Sequence, residues 1–101
     1  MNVITVLKYG TVVRLESVDM FSFCGRDNHP KPTDLGFLGT VVGNWVETYD
    51  ADGDPLTSRE NVLGGTEFVD DEDYSLASVC YKVRSPDGRM LDLMDHEVEP
   101  V

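Results

Sequence analysis

The chain has 101 residues, with 19 aspartate and glutamate residues against 8 lysine and arginine residues, which gives a formal net charge of -11. We expect a chain of this length to form a single domain, 1–101, around one core, which argues against a large multi-step enzyme. An apolar fraction of 41% is too high for a wholly disordered acidic chain. We therefore expect the chain to fold.

Runs of β-branched residues predict the first strands. Val3–Leu7 and Thr11–Glu16 are typical of two strands, or of one strand bent at Gly10. Residues 17–36 lose this pattern where glycine and two prolines interrupt it, and they predict a long loop. A loop of this length in a small domain often carries a binding site.

The middle of the chain predicts a strand, a hairpin tip and a short helical turn. Phe37–Val46 is typical of a strand, in which Gly39 and Gly43 mark bulges or sharp bends. The Asp-Gly pair and the following proline predict a hairpin tip over residues 49–55. Residues 56–65 offer a hydroxyl N-cap and a glycine stop, which predicts one helical turn.

The last third of the chain predicts a β-hairpin and a tail. Apolar residues alternate with small or charged residues in Val79–Arg84, which is typical of a half-buried strand. Ser85–Arg89 contains Pro-Asp-Gly, the clearest turn in the chain, and leads into a strand at Met90–Met94. Residues 95–101 predict a turn or a short 3₁₀ segment with Val98 facing inward.

Short strands between glycine and proline turns, without an amphipathic helix of three turns, predict an all-β domain with at most one short helical turn. Its parts resemble, in their order, a small SH3-like or Tudor-like barrel of five to six antiparallel strands. The segments that carry this resemblance are Gly10–Leu15, Leu38–Gly43, Tyr81–Arg89 and His96–Pro100. The resemblance implies a binding module rather than an enzyme, with the loop 17–36 and an acidic insertion 47–73 added to the barrel.

The negative charge is concentrated in one part of the chain. Residues 1–46 are neutral, whereas residues 47–73 hold ten acidic residues and one arginine. Such a field repels phosphate and anionic lipid, which disfavours direct binding to nucleic acid or to a membrane. The acidic segment is then either a solvated loop that maintains solubility or a docking face for a basic partner.

The docking interpretation assigns partner contacts to exposed carboxylates and to aromatic side chains near them. Aromatic rings beside carboxylates suit a surface that receives lysine or arginine, through ion pairing and cation–π contact. Most aromatic residues of so small a domain are expected in its core. The predicted partner-binding residues are Asp50, Asp52, Asp54, Asp70, Asp71, Glu72, Asp73, Phe21 and Tyr49.

Metal and catalytic sites are weakly indicated. The carboxylates around Gly53 do not fit a calcium loop, because this glycine is the fourth residue from Asp50 rather than the sixth. Cys24, with Asp27 and His29, lacks the paired spacing of a zinc site. Cys80 lies in a predicted strand and is expected to be a buried small hydrophobe. We therefore predict no cofactor, no metal and no enzymatic activity.

The sequence favours a protein-binding module that docks on a basic surface of another protein, such as a nucleic-acid-binding protein. One variant is a virus- or mobile-element-encoded inhibitor whose carboxylates mimic nucleic-acid phosphates. Two alternatives stay open: a small-molecule or metal-binding barrel with loop 17–36 as its lid, and a structural assembly subunit that pairs through strand edges. The N-terminus has no cationic leader with an apolar run behind it, so we expect a cytoplasmic location.

Overall fold

The computed structural model describes residues 3–19, 26–60, 65–68 and 74–101. These residues form eight strands and two 3₁₀ turns, Pro32–Asp34 and Asp95–Glu97, and they include no helix long and apolar enough to cross a membrane. The all-β prediction is therefore confirmed. The strands are β1 (Val3–Val6), β2 (Val12–Leu15), β3 (Leu38–Tyr49), β4 (Pro55–Glu60), β5 (Gly65–Phe68), β6 (Leu76–Arg84), β7 (Met90–Met94) and β8 (Val98–Pro100).

Six strands form one antiparallel sheet in the order β7-β6-β3-β2-β8, with β4 also paired to β3. The long strand β3 organises this sheet, because its first part pairs with β2, its last part with β4, and its other edge with β6. Strands β1 and β5 form a separate antiparallel pair. No ladder among the described residues joins β7 to β8, so the sheet is not closed. What is confirmed is a small antiparallel β domain, and the SH3-like likeness stays a resemblance.

A bulge in β3 confirms the irregularity predicted at Gly43. The pairing of β3 with β6 shifts between Val41 and Gly43, so one extra residue enters β3 there. Before the bulge Val41 faces the core, and after it Asn44 and Val46 do. Because side chains alternate between the two faces of a sheet, this single insertion reverses which positions of β3 are buried.

The core is built from alternate residues of the strands. Tyr81 lies at its centre, fully buried, and its hydroxyl accepts a hydrogen bond from the Leu7 amide at 3.1 Å and donates one to Asp95 at 3.0 Å. Burial raises the pKa of Tyr81 far above its ordinary value, which keeps the phenol neutral. Val98 faces inward, as predicted. The buried core residues are Ile4, Val6, Val13, Leu15, Val41, Val46, Val79, Tyr81, Val83, Leu91, Leu93 and Val98.

The hairpin turns follow the predicted chemistry. Gly53 and Gly88 have φ of 86° and 89°, conformations that glycine adopts without a steric penalty. The Gly53 amide bonds to the Asp50 carbonyl at 3.1 Å, and the Gly88 amide bonds to the Ser85 carbonyl at 3.0 Å. Both Asp-Gly pairs therefore close turns, one between β3 and β4 and the other between β6 and β7.

The helical turn predicted within residues 56–65 is wrong where the structure describes it. Pro55–Glu60 forms β4 and pairs with Trp45–Tyr49 of β3. The closed turn at Gly53 places the two segments side by side, and the ladder outweighs a weak capping pattern. The acidic segment 47–73 therefore supplies the end of β3, all of β4 and the strand β5, which pairs with β1.

We predict that Gly39→Ala destabilises the fold by about 1–3 kcal/mol, the usual cost of overpacking. A β-carbon on Gly39 would lie 2.6 Å from Val83 Cγ1 and 2.8 Å from the Arg84 carbonyl oxygen, and the latter belongs to paired backbone. Urea unfolding should show a lower midpoint with an unchanged slope. The control is Thr40→Ala, the next position, which is only half-buried. Equal midpoints for wild type and Gly39→Ala would refute the steric argument.

Candidate functional site

The structure describes the first part of the predicted acidic site, which is the tip of the β3–β4 hairpin. Asp50 Oδ1 accepts hydrogen bonds from the amides of Asp52 and Asp54, both at 2.9 Å. The Asp50 amide in turn donates to the Asp54 carbonyl at 2.9 Å, which closes the tip. Asp50 therefore fixes the turn, whereas Asp52 and Asp54 are exposed to solvent. This is an Asx-type turn, in which a carboxylate substitutes for backbone acceptors.

Tyr49 lies at the base of the tip. Its side chain is half-buried, and its hydroxyl donates a hydrogen bond to the Glu47 carboxylate on the same face of β3. Opposite it across the ladder lies Leu76 of β6, which is exposed. Tyr49 is therefore held in the sheet, with part of its ring accessible beside the tip. The other predicted contacts, Phe21 and Asp70, Asp71, Glu72 and Asp73, lie outside the described residues.

Two exposed cations whose side chains the structure describes, Lys82 and Arg84, lie away from the acidic tip. Among the described side chains, no cation forms an ion pair with Asp50, Asp52 or Asp54. Lys82 and Arg84 project from the exposed face of β6, and Arg84 is opposite Thr40 near the start of β3. At about 3.3 Å per strand residue, the ten residues from Thr40 to the tip span roughly 30 Å. Lys82 and Arg84 are thus separated from the acidic tip along the sheet.

Sequence reasoning missed a buried ion pair that fastens loop 17–36 to the sheet. The side chains of Arg26 and Glu97 are 1% and 0% exposed, and Arg26 Nη1 lies 2.5 Å from Glu97 Oε1. The carboxylate also accepts the Met94 amide at 2.7 Å and the Asp19 amide at 2.8 Å. A buried charge requires such compensation, because removing it from water is costly.

The guanidinium of Arg26 extends this network along the loop. It donates to the carbonyls of Asp92 at 3.2 Å and Asp19 at 3.1 Å, and its Nη2 lies 2.7 Å from His29 Nε2. Since a guanidinium only donates, His29 Nε2 is the acceptor and the ring proton is on Nδ1, which donates to the Pro30 carbonyl at 2.8 Å. His29 is therefore occupied by structural contacts.

A second buried carboxylate holds the loop against the edge of β7. Asp92 Oδ2 accepts the amides of Asp27 at 3.1 Å and Asn28 at 3.2 Å. The Asp92 amide donates to the Asn28 carbonyl at 2.9 Å, so the loop bonds to the outer edge of the sheet. This arrangement covers a strand edge that would otherwise be open to other chains.

Asp34 ties the end of the loop to the β6–β7 turn. Its carboxylate accepts the Lys31 amide at 2.8 Å and pairs with Arg89, whose guanidinium carbon lies 5.6 Å from the centre of the Phe37 ring. The Lys31 amide and then the Arg89 guanidinium hold the pKa of Asp34 below its ordinary value. The described parts of loop 17–36 are thus fixed at both ends.

The metal and thiol candidates lead to no site in the described residues. No group of three or more histidine, cysteine, aspartate or glutamate side chains there is placed to hold a metal ion. Cys24 lies outside those residues, and His29 is engaged with Arg26. Cys80 is buried in β6, as predicted.

Comparisons with protein-family models, with curated proteins and with solved structures found no match.

We predict that Glu97→Gln lowers the free energy of unfolding by about 3–5 kcal/mol, because it leaves the buried Arg26 charge without its counterion. Urea denaturation measures this loss. The control is Arg14→Ala, which breaks the exposed pair between Arg14 and Glu16 and should barely move the midpoint. Similar midpoint shifts in the two variants would contradict the role assigned to the buried pair.

We predict that the stabilising effect of Asp34 depends on pH. Its folded-state pKa is lowered, so its contribution is present above the unfolded pKa of about 3.9 and is lost as pH falls through the folded value. The difference in unfolding free energy between wild type and Asp34→Asn should therefore be largest near neutral pH and shrink in acid. Denaturation curves recorded near neutral pH and in acid test this, and the exposed Asp27→Asn is the control. A difference that is as large in acid as at neutral pH would be inconsistent with an ionised, paired Asp34.

Proposed function

We propose that this protein is a non-enzymatic protein-binding module that docks its acidic side on a basic surface of another protein. The hairpin tip carries this proposal. Asp52 and Asp54 are exposed on a turn fixed by Asp50, and no described cation neutralises them. A rigid turn presents carboxylates without the entropy loss of ordering them on binding, which favours affinity.

The separation of charge supports the same proposal. Along β3, Arg84 lies roughly 30 Å from the tip and Lys82, opposite Gly43, roughly 23 Å, so both screen it little in physiological salt, where the Debye length is about 8 Å. The tip also follows directly from Tyr49, whose half-buried ring offers an aromatic surface beside the carboxylates. A basic partner would contact the negative carboxylates of the tip and the side chain of Tyr49 together.

Nucleic-acid mimicry is the specific variant of this proposal. In that variant the carboxylates take the places of phosphates in the channel of a nucleic-acid-binding protein, as an inhibitor from a virus or a mobile element would require. The hydrogen bonds of Asp50 to the backbone amides of Asp52 and Asp54 support it, since they hold the turn that carries both carboxylates before binding.

The two alternatives have less support from the described geometry. A lid must open, whereas loop 17–36 is fastened by Glu97, Asp92 and Asp34 wherever it is described. An assembly subunit would pair through strand edges, and the outer edge of β7 is covered at Asp92 by the loop, which leaves shorter stretches such as Leu76–Val79 of β6 for such pairing. Docking of an acidic surface therefore remains the function that this geometry favours.

We predict that Asp52→Lys with Asp54→Lys abolishes capture of the partner, because the tip then repels a basic surface. The matched control is Asp27→Lys with Glu99→Lys, which changes two exposed acidic residues elsewhere and alters the net charge equally. A third variant, with Asp70–Asp73 changed to lysine, tests the rest of the predicted segment. Affinity capture from a cell lysate followed by mass spectrometry is the measurement.

Wild type and control baits should retain the same protein at low salt and release it at about 1 M salt, where the Debye length is about 3 Å. Equal recovery with all four baits would contradict docking through the acidic segment. Loss of the protein with the control bait alone would place the contact elsewhere on the surface.

A further inference from the structure

Within the described residues, about half of strand β6 has a strand neighbour on one side only. Leu76–Val79 pairs with Val46–Tyr49 of β3. On the other side, β7 pairs with β6 only from Cys80 onward, where Cys80 is opposite Met94. No strand among the described residues lies against that second edge of Leu76–Val79.

The turn after β7 explains why this edge is left open. Beyond Met94 the chain enters the 3₁₀ turn Asp95–Glu97 instead of continuing along β6. The buried Glu97 carboxylate accepts the Met94 amide, and Asp95 accepts the Tyr81 hydroxyl, so both ends of the turn are fixed. The strand therefore stops four residues short of its neighbour for a defined structural reason.

A cavity of about 340 Å³ lies beside the open edge, lined by Leu76–Val79 and Met94–His96. Leu76 is 62% exposed there, although it is one of the largest apolar residues in the sheet. Proteins commonly protect an edge with lysine, proline or a bulge, and Leu-Ala-Ser-Val contains none of these. The edge and the cavity together have the form of a site for an added strand.

The charge beside this edge is negative. Asp95 is exposed at the cavity rim, and the carboxylate of Asp19 lies 2.9 Å from Nε2 of His96, which also lines the cavity. The chain as a whole carries -11. An extended segment with alternating cationic and apolar side chains complements this surface, because its apolar residues fill the cavity while its cations face Asp95.

We propose that Leu76–Val79 binds a basic, extended segment of a partner protein as an added β-strand. This inference rests on the proposed docking function and specifies how the partner is held. Backbone hydrogen bonds along β6 provide affinity, and the cavity and Asp95 provide selectivity for alternating apolar and cationic residues.

The test uses a labelled synthetic peptide, Lys-Val-Lys-Val-Lys-Val, titrated against the full chain at low salt by fluorescence anisotropy. N-methylation of alternate peptide bonds removes backbone donors but leaves every charge in place. It should weaken binding at least about tenfold, which corresponds to about 1.4 kcal/mol. The peptide Glu-Val-Glu-Val-Glu-Val, of opposite charge, should not bind.

Leu76→Arg should also weaken binding at least about tenfold, since it puts bulk and positive charge into the cavity mouth. Leu35→Arg is the matched control, because Leu35 is 53% exposed, lies away from the cavity and undergoes the same change of charge. In nitrogen-15 NMR spectra, the bound peptide should shift the amide signals of Ala77, Ser78 and Val79, and it should slow the hydrogen exchange of Ala77 and Val79, whose amides face the second edge of β6 because successive amides of a strand point to opposite edges.

Failure of this inference is distinguishable from failure of the docking function. Binding that tolerates N-methylation and Leu76→Arg but is lost in Asp52→Lys with Asp54→Lys would overturn the added strand and leave the acidic tip as the docking surface. Binding that requires Leu76 but not the tip would support the added strand independently. Absence of peptide binding to the wild-type chain would overturn the inference, and lysate capture would then decide the docking function by itself.

Discussion

The buried carboxylate of Glu97 is the interaction on which the arrangement of this domain depends. It is fully buried and accepts hydrogen bonds from the Arg26 guanidinium and from the amides of Asp19 and Met94. Asp19 and Arg26 lie on either side of residues 20–25 in the loop 17–36, and Met94 ends β7. One carboxylate therefore holds the loop at two points and also holds the end of β7. Removing either member of such a buried pair is costly, because the other charge is then buried without its counterion.

The acidic residues of this chain have two different roles. Asp34, Asp50, Asp92 and Glu97 each accept backbone amides and act as internal connectors of turns and loops. Asp52, Asp54 and Asp95 are instead exposed, at the hairpin tip and beside the open edge of β6. The net charge of -11 therefore overstates the charge that the proposed docking could use, because it also counts the carboxylates that hold turns and loops in place.

Local features of the sequence were sufficient to predict most strands and turns. The β-branched runs gave β2 and most of β3, the Asp-Gly pairs gave both hairpin turns, and Gly43 marked the bulge. Strand β4 was mistaken for a helical turn, because its capping pattern is local whereas the ladder with β3 that decides the outcome is not. The inward position of Val98 was also predicted correctly.

The long-range polar contacts could not be predicted from the sequence. Arg26 and Glu97 are 71 positions apart, and nothing in either neighbourhood distinguishes them from exposed charges. The open edge of Leu76–Val79 likewise depends on where β7 stops, which the Glu97 contact determines. Of the candidate site, the sequence indicated the tip and its exposed carboxylates, but not the edge or the contacts that hold the loop.

The most direct test of this account is amide hydrogen exchange of the wild-type protein, followed by NMR. Asp19 and Asn28 donate their amides to the buried or partly buried carboxylates of Glu97 and Asp92, although neither residue belongs to a strand. If these carboxylates fasten the loop, both amides exchange nearly as slowly as those of the central strand residues Tyr81 and Val83. Exchange of Asp19 and Asn28 at the rate of an open loop, with Tyr81 and Val83 still protected, would contradict the account.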